Sequence, residues 1–422
     1  MEQRRFGDIM AFKTGNQPPV AFHARNLEVA EISEELWTSF ANPQSALSDL
    51  QEWEQDNNPD VKANVESRVQ SITLNVTQIC NLACTYCAAG GDGTYGQPQT
   101  KISVEKTLPQ IQFFLGRMKK GDLFRITFLG GEPLLYPEGI RVLAEYVAAE
   151  CQSRDLKFAF SIVTNGTLLT EENIRLLNEI SCDVTISIDG PAEYNDLVRI
   201  QKNGTGSTDL VVDGAVRLAK MRQHIQRISF HGVFGKDNMQ PYKAYKFYQT
   251  FGFDSYEFTY DVSTPDSSLN AEFISQLRQI AQEAFLLGGE IELRKVMFFD
   301  SVFSILDAQQ RNENFCRAGK SHFVVDAKNN IFTCPWEVGQ EQEKVGEGAY
   351  LSAVKLAPYQ QPLVEKNDCG KCWARFVCGG GCMYIHKQTT GVKYKKDPIF
   401  CDRIRSLILT SIMYYKQSRE TC

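Results

Sequence analysis

The sequence predicts an α/β protein built on six strand–helix units, with a small α+β segment before them and a cysteine-rich segment after them. Three observations carry this. Strand-like runs near 71–77, 124–129, 157–163, 183–188, 226–233 and 255–260 alternate with amphipathic helical stretches. That alternation predicts a parallel sheet, either an open doubly wound sheet or a partial barrel. Residues 1–68 lack it, and beyond about residue 310 seven thiols fall between Cys316 and Cys401.

A chain of 422 residues has room for two or three domains. Its formal charge of -6 is spread over mixed acidic and basic residues, without a basic block of the kind that marks nucleic-acid or membrane binding. Met1-Glu-Gln-Arg-Arg-Phe6 leads into no apolar signal region, and no run of about 18 apolar residues follows. The expectation is a cytoplasmic protein, in which thirteen cysteines point to metal or redox chemistry rather than to disulfides.

In the N-terminal segment, Phe6–Phe12 and Val20–Ile32 read as two strands separated by a turn at Asn16-Gln-Pro-Pro19. Ser33–Phe40 reads as a capped amphipathic helix and Ala46–Gln55 as another, before a polar linker at Glu54–Asp60. A hairpin followed by two helices is similar to part of the winged-helix peptide-recognition element of peptide maturases; a lid or packing domain without a binding role is the other reading.

The first strand of the repeating region, Ile72-Thr-Leu-Asn-Val-Thr77, runs into Cys80-x3-Cys84-x2-Cys87 and the glycines that follow. Three thiolates on one loop hold three irons of a 4Fe–4S cubane and leave the fourth open for a ligand. Structural zinc takes four ligands, commonly as C-x2-C pairs, and a disulfide framework takes an even number of cysteines in a secreted chain. With Tyr86 just before the last thiol, this loop resembles the signature of the radical SAM superfamily. The resemblance implies a partial (βα)6 TIM-like barrel and a cluster on Cys80, Cys84 and Cys87 whose open iron is chelated by S-adenosyl-L-methionine. It further implies reductive cleavage to a 5′-deoxyadenosyl radical, with the backbone at Tyr86 against the adenine.

In barrels the chemistry gathers at the C-terminal ends of the strands. Gly130-Gly131-Glu132-Pro133 follows the second strand, Thr164-Asn165-Gly166 the third, and Ser187-Ile-Asp189-Gly-Pro191 ends the fourth. Gly130 and Gly131 allow close backbone approach to a ligand, and Glu132 accepts from an ammonium; by resemblance this is the motif for the methionine amino group. Ser187 and Arg199 match the family pair on the methionine carboxylate, for which a guanidinium fork is suited. Thr164, Asn165 and Asp189 complete the expected cofactor contacts. Asn195-Asp196-x-x-Arg199 with Gly204-x-Gly-Ser207 is similar to the His-Asp-x-x-Arg and Gly-x-Gly-Ser pattern of the maturase branch; Asn195 stands where the histidine would be and inherits no role. His231, at the end of the fifth strand, reads as a core histidine before a substrate or cofactor contact; Tyr256, Tyr260 and Asp261, near the end of the sixth, read as lining a substrate pocket, with packing the other reading for the tyrosines.

The later thiols, Cys316, Cys334, Cys369-x2-Cys372-x5-Cys378-x3-Cys382 and Cys401, resemble the SPASM domain of radical SAM enzymes. The resemblance implies two auxiliary 4Fe–4S clusters, three clusters in all. One takes Cys316, Cys334 and Cys382; the other takes Cys369, Cys372, Cys378 and Cys401. Gly379-Gly-Gly381 lets the loop wrap the clusters, and Asn329 stands where the family has a glycine, a residue that tolerates the left-handed conformation. The first auxiliary cluster counts only three cysteines, leaving an iron for Glu313, Cys422 or the substrate's own thiolate. Pro335 stands where sulfatase maturases carry aspartate, which argues against formylglycine formation. Cys151 and Cys182 read as buried apolar fillers, and Arg403–Lys416 as a packing helix. Ala88–Gly96 resembles maturases whose substrates carry nitrile-hydratase-like or Nif11-like leaders.

The expected organisation is a small N-terminal domain over 1–68, a barrel over 69–305, a SPASM domain over 306–402 and a C-terminal helix over 403–422. The expected function is that of a peptide maturase abstracting hydrogen from a residue of a ribosomal precursor peptide with a leader, toward a thioether, a carbon–carbon crosslink, backbone excision or epimerisation. Its electron donor would be a flavodoxin or ferredoxin. The alternatives are a SPASM oxidoreductase acting on another protein or a small substrate, and a non-catalytic iron–sulfur electron-transfer protein.

Overall fold

The computed structural model describes residues 2–15, 18–41, 48–59, 61, 69–87, 100–263 and 265–420. They fall into two compact units that do not follow sequence order. One comprises Met1–Glu66, Asp266–Cys316 and Gln361–Cys422, the other Ser67–Pro265 and Arg317–Gln360.

In the first unit, β1 (Glu2–Phe6), β2 (Ile9–Lys13), β3 (Val20–His23) and β4 (Glu28–Glu31) form an antiparallel meander in sequence order. Four short strands thus replace the two long ones expected. Phe6 pairs with Ile9 across a two-residue turn at Gly7-Asp8, with Gly7 at φ +55°, as a tight hairpin requires. His23 pairs with Glu28 across a turn containing Leu27 at φ +53°. The expected turn at Asn16–Pro19 and linker at Glu54–Asp60 include positions 16, 17 and 60, outside the described residues. Both expected helices form, at Glu34–Ser39, capped by Ser33, and at Ser48–Gln55. The C-terminal helix is longer than expected, Pro398–Glu420. Its apolar stripe, Ile404, Ile408 and Ile412, joins one core with Phe12 and Phe22 of the meander and Val302 and Leu306 of the helix Met297–Ala308.

The second unit holds the parallel strands β5 (Val69–Thr77), β6 (Leu123–Gly130), β7 (Lys157–Thr164), β8 (Cys182–Ser187), β9 (Ile228–Phe234) and β10 (Ser255–Tyr260). They lie side by side in sequence order. A doubly wound sheet reverses its order at a switch point; this one does not, so the barrel-type reading holds. Helices Val104–Leu115, Pro137–Ser153, Glu171–Glu179, Thr208–Met221 and Pro241–Gln249 make the crossovers. Among the described residues the array does not close. β11 (His322–Val325) adds in parallel to β5, and β12 (Asn330–Phe332), β13 (Gly346–Glu347) and β14 (Tyr350–Leu351) continue antiparallel. These four strands were not expected.

Alternation along the strands gives this sheet two unlike faces. Ile72, Leu74, Phe124, Ile126, Phe128, Ile162, Val184 and Ile186 make one face apolar and fully buried. On the other, Thr127 meets Ser161 at 2.9 Å and Ser229 meets Ser255 at 2.7 Å, each through hydroxyl oxygens. Asn75, on that polar face, is fully buried with neither amide atom hydrogen-bonded to protein. Among the described residues no helix is long and apolar enough to cross a membrane.

Asn329 adopts φ +64° as the sequence suggests, and its amide nitrogen donates to Thr107 Oγ1 at 2.8 Å and Gln110 Oε1 at 3.1 Å. Asn329→Gly keeps the backbone and loses the side-chain bonds, an expected cost of about 1–2 kcal/mol. Asn329→Ala adds left-handed strain of about 1 kcal/mol more. Denaturant unfolding of the two variants checks the order.

Candidate functional site

The cysteine loop leaves β5 and is stitched to the segment carrying Arg199. Ala83 N donates to Ile200 O at 2.8 Å and Thr85 N to Val198 O at 2.9 Å, and Leu82 bridges Gln201 in antiparallel sense. Cys80, Cys84 and Cys87 are all partly buried. Burial pushes the Cys80 thiol up to about 11, although Leu82 N, at 3.4 Å, and Asn165 Nδ2, at 3.7 Å, donate to its sulfur. Burial likewise lifts Cys84 to about 11 against the pull of Arg199. Thiols so placed become thiolates most readily on a bound cation. Among the described residues no three His, Cys, Asp or Glu side chains gather tightly enough for a single ion; a cubane, giving each thiolate its own iron, spreads its ligands wider.

Gly130 and Gly131 pack closely against the chain's own backbone. Gly131 N donates to Thr77 O and Glu132 N to Ile79 O, both at 2.9 Å. A Cβ would stand 2.1 Å from Thr77 O at Gly130, whose φ is +140°, and 2.2 Å from Ile79 O at Gly131. The glycines therefore let the backbone after β6 press against the base of the cysteine loop. Glu132 is fully buried beneath it. Its carboxylate accepts from Thr164 Oγ1 at 2.8 Å, Leu134 N at 3.0 Å and Asn165 N at 2.7 Å. Burial outweighs these donors and pushes the carboxyl up to about 7. Thr164 and Asn165 thus hold Glu132, and Asn165 also donates to Asn81 Oδ1 at 2.8 Å, tying β7 to the cysteine loop.

The hub of the other side is Asp189, fully buried after β8. Tyr86 Oη donates to it at 2.8 Å, Val233 N at 2.9 Å and Asn238 Nδ2 at 3.1 Å, while Arg199 Nε stands 3.0 Å away in a buried ion pair. Burial opposes the Arg199 charge, yet Asp189, Tyr86 and Cys84 hold its pKa above the ordinary value. The guanidinium also lies over the Tyr86 ring, 5.3 Å from its centre. Ser187 is half-buried beside His231 on β9. His231, expected as a core residue, is half-buried and bonds Thr259 Oγ1 at 2.9 Å. Tyr256 packs against Tyr245 and Tyr248, in line with the packing reading.

Sequence reasoning missed Asn195 and Asn238. Asn195, fully buried, accepts from Asp189 N at 3.0 Å and donates to Thr208 Oγ1 at 2.8 Å. Asp196 caps the following helix, accepting from Ser207 N, Thr208 N and Thr208 Oγ1. Despite burial, these donors hold its carboxyl below the usual range. Ser207 Oγ in turn donates to Arg199 O at 2.7 Å, fixing the arginine from behind. The signal for Asn195 was its place in the Asp-x-x-Arg pattern, which the absence of a histidine concealed.

Cys369, Cys372, Cys378 and Cys401 line one cavity of about 360 Å³ in the first unit. Burial raises the Cys369 thiol to about 11 and that of Cys378 further, each aggravated by the neighbouring thiols. Gly379, Gly380 and Gly381 run at φ +72°, +88° and +86°, and a Cβ on any of them would come within 2.7 Å of a neighbouring atom. Four convergent thiols in such a space fit a 4Fe–4S cluster. Cys316, exposed, and Cys382 belong to the same unit, while Cys334 belongs to the other. Cys422 and Ala88–Gly96 lie outside the described residues. Cys151 and Cys182 are fully buried fillers, as expected.

Because Glu132 is more basic folded than unfolded, its contribution to stability is full below the ordinary value of 4.5 and is lost as pH rises through about 7. Relative to Glu132→Gln, the wild type should lose on the order of 3 kcal/mol across that window. Denaturant unfolding at a series of pH values measures it.

Residues 74–247 match the model of the radical SAM superfamily. The chain is 24% identical over 359 residues to the cysteine-type anaerobic sulfatase-maturating enzyme of Clostridium novyi, covering 79% of this chain and 92% of the relative. It is 26% identical over 332 residues to mycofactocin maturase MftC of Mycobacterium ulcerans, covering 74% and 82%. Among solved structures it resembles anSMEcpe with bound AdoMet and Kp18Cys peptide, with a TM-score of 0.67 at 20% identity over 84% of this chain and 100% of that one. It also resembles SuiB of Streptococcus suis bound to precursor peptide SuiA, with a TM-score of 0.52 at 15% identity over 94% and 100%. The loop that carries Cys80, Cys84 and Cys87, the strand order and these likenesses agree: the chain belongs to the radical SAM superfamily and is a radical SAM enzyme, of a family that uses a 4Fe–4S cluster and S-adenosyl-L-methionine.

Proposed function

We propose that the chain is a SPASM-type maturase that abstracts hydrogen from a residue of a ribosomally made precursor peptide. The observation that carries this reading is the second cysteine site, Cys369, Cys372, Cys378 and Cys401 around one cavity, in a chain that already has the three-cysteine loop. A plain electron-transfer protein has no use for that loop beside buried Glu132 and the Asp189–Arg199 pair. The relatives named for MftC and for SuiB with its precursor peptide support a peptide substrate, and Pro335, where sulfatase maturases are expected to carry aspartate, argues against formylglycine formation.

In this reading Cys80, Cys84 and Cys87 would hold the catalytic cluster, beside which S-adenosyl-L-methionine would bind. When bound, the cluster supplies the electron that generates a 5′-deoxyadenosyl radical. Glu132, held by Thr164 and Asn165, stands beneath the ammonium. Ser187 and Arg199 serve the carboxylate, Asp189 fixes Arg199 and Tyr86, and the backbone at Tyr86 meets the adenine. The polar inner face, with unpartnered Asn75, suits a polar ligand. The three-cysteine loop belongs to the second unit and Cys369, Cys372, Cys378 and Cys401 to the first, and a cluster on the remaining cysteines would bring the total to three. A flavodoxin or ferredoxin delivers the electrons, in the cytoplasm.

The test is anaerobic reconstitution, iron and sulfide counts, and mass spectrometry for 5′-deoxyadenosine after adding S-adenosyl-L-methionine, dithionite and candidate precursor peptides. Wild type should cleave the cofactor and change the peptide's mass. The Cys80→Ala, Cys84→Ala, Cys87→Ala variant should do neither and lose one cluster of three. Iron-loaded wild type that never yields 5′-deoxyadenosine would overturn the reading.

A further inference from the structure

The N-terminal meander grips the loop that carries the first two thiols of the second cysteine site. Arg5, on β1, donates to Lys371 O. Asp8, in the β1–β2 turn, accepts from Arg375 Nη2 at 2.8 Å and pairs with Arg25 Nε at 3.0 Å. Phe12 and Phe22, on β2 and β3, meet the Trp373 ring edge-on, at 5.2 and 6.2 Å between centres. Lys371, Trp373 and Arg375 bracket Cys372, so one face of this sheet is spent on the thiol loop.

Arg375 is the centre of the arrangement. Its side chain is only 8% exposed, it lines the thiol cavity, its Nη1 donates to Cys372 O at 3.1 Å, and its guanidinium lies 4.7 Å from the centre of the Phe376 ring. The charge is held from three sides, and buried charges are poorly screened. An iron–sulfur cluster becomes more negative on reduction, so its potential responds to fixed charge nearby, rising beside a cation and falling beside an anion.

We propose that the N-terminal sheet, by bracing the loop of the second cysteine site, tunes the site's redox potential, with Arg375 raising it and Asp8, paired with Arg375, offsetting that charge. This rests on the reading that Cys369, Cys372, Cys378 and Cys401 hold a cluster. Neither Asp8 nor Arg375 is a ligand; both are positioning residues acting through charge.

The experiment is an anaerobic redox titration followed by EPR on the full reconstituted chain in the Cys80→Ala, Cys84→Ala, Cys87→Ala background. It reads the midpoint of the signal that a further Cys369→Ser change abolishes. Arg375→Gln should move this midpoint to more negative potential and Asp8→Asn to more positive potential, with the iron content of both unchanged. Arg375→Lys, which keeps the charge, should stay near the background value. If Arg375→Gln sheds its iron, Asp8→Asn and Arg375→Lys still decide. Opposite shifts support an electrostatic role. Shifts of one sign, or none, in the presence of the signal overturn this inference alone. If Cys369→Ser removes neither signal nor iron, the cluster reading of these cysteines falls, and the inference with it.

Discussion

One buried carboxylate, Asp189, ties the cysteine loop to the segment after β8 and to β9. A charge fully removed from water is costly unless it is well partnered, and here the partners come from three places in the chain. Tyr86 belongs to the cysteine loop, Arg199 to the segment stitched beneath it, and Val233 and Asn238 to β9 and the turn after it. None of these pieces can move far without stranding the charge. A matching constraint acts at Glu132, where β6, β7 and the base of the cysteine loop meet around one carboxyl.

The strands of the barrel and the loops at their ends were legible because both depend on local pattern. β-branched alternation located each strand, and cysteine spacing located the loop. What was not legible depends on distant partners. Asn195 looked like a lost histidine because its work, receiving the Asp189 amide and bonding Thr208, is visible only once the chain has folded back. Gly130 and Gly131 were read as allowing close backbone approach, but that they also make room for the backbone at Thr77 and Ile79, some fifty residues earlier in the chain, shows only in the fold. β11 to β14 were missed because strands of two to four residues carry too little alternation to register, and β11 exists as a strand through its pairing with β5, about 250 residues away.

The C-terminal thiols show the same division. Their spacing resembles that of an iron–sulfur domain, and the left-handed run at Gly379–Gly381 follows from the glycines themselves. The role of the N-terminal sheet did not, because Asp8 and Arg375 are 367 residues apart.

The interleaving of the two units has a consequence for how the molecule is made. Each unit is assembled from separated stretches of sequence, so neither is complete until late in the chain. Phe12 and Phe22 emerge early from the ribosome, but the partners that cover them, Trp373, Ile404 and Ile408 among them, come hundreds of residues later. Contacts of such separation form slowly, and uncovered apolar strands invite aggregation while they wait. The first strands therefore stay without their core until the final helix has been synthesised.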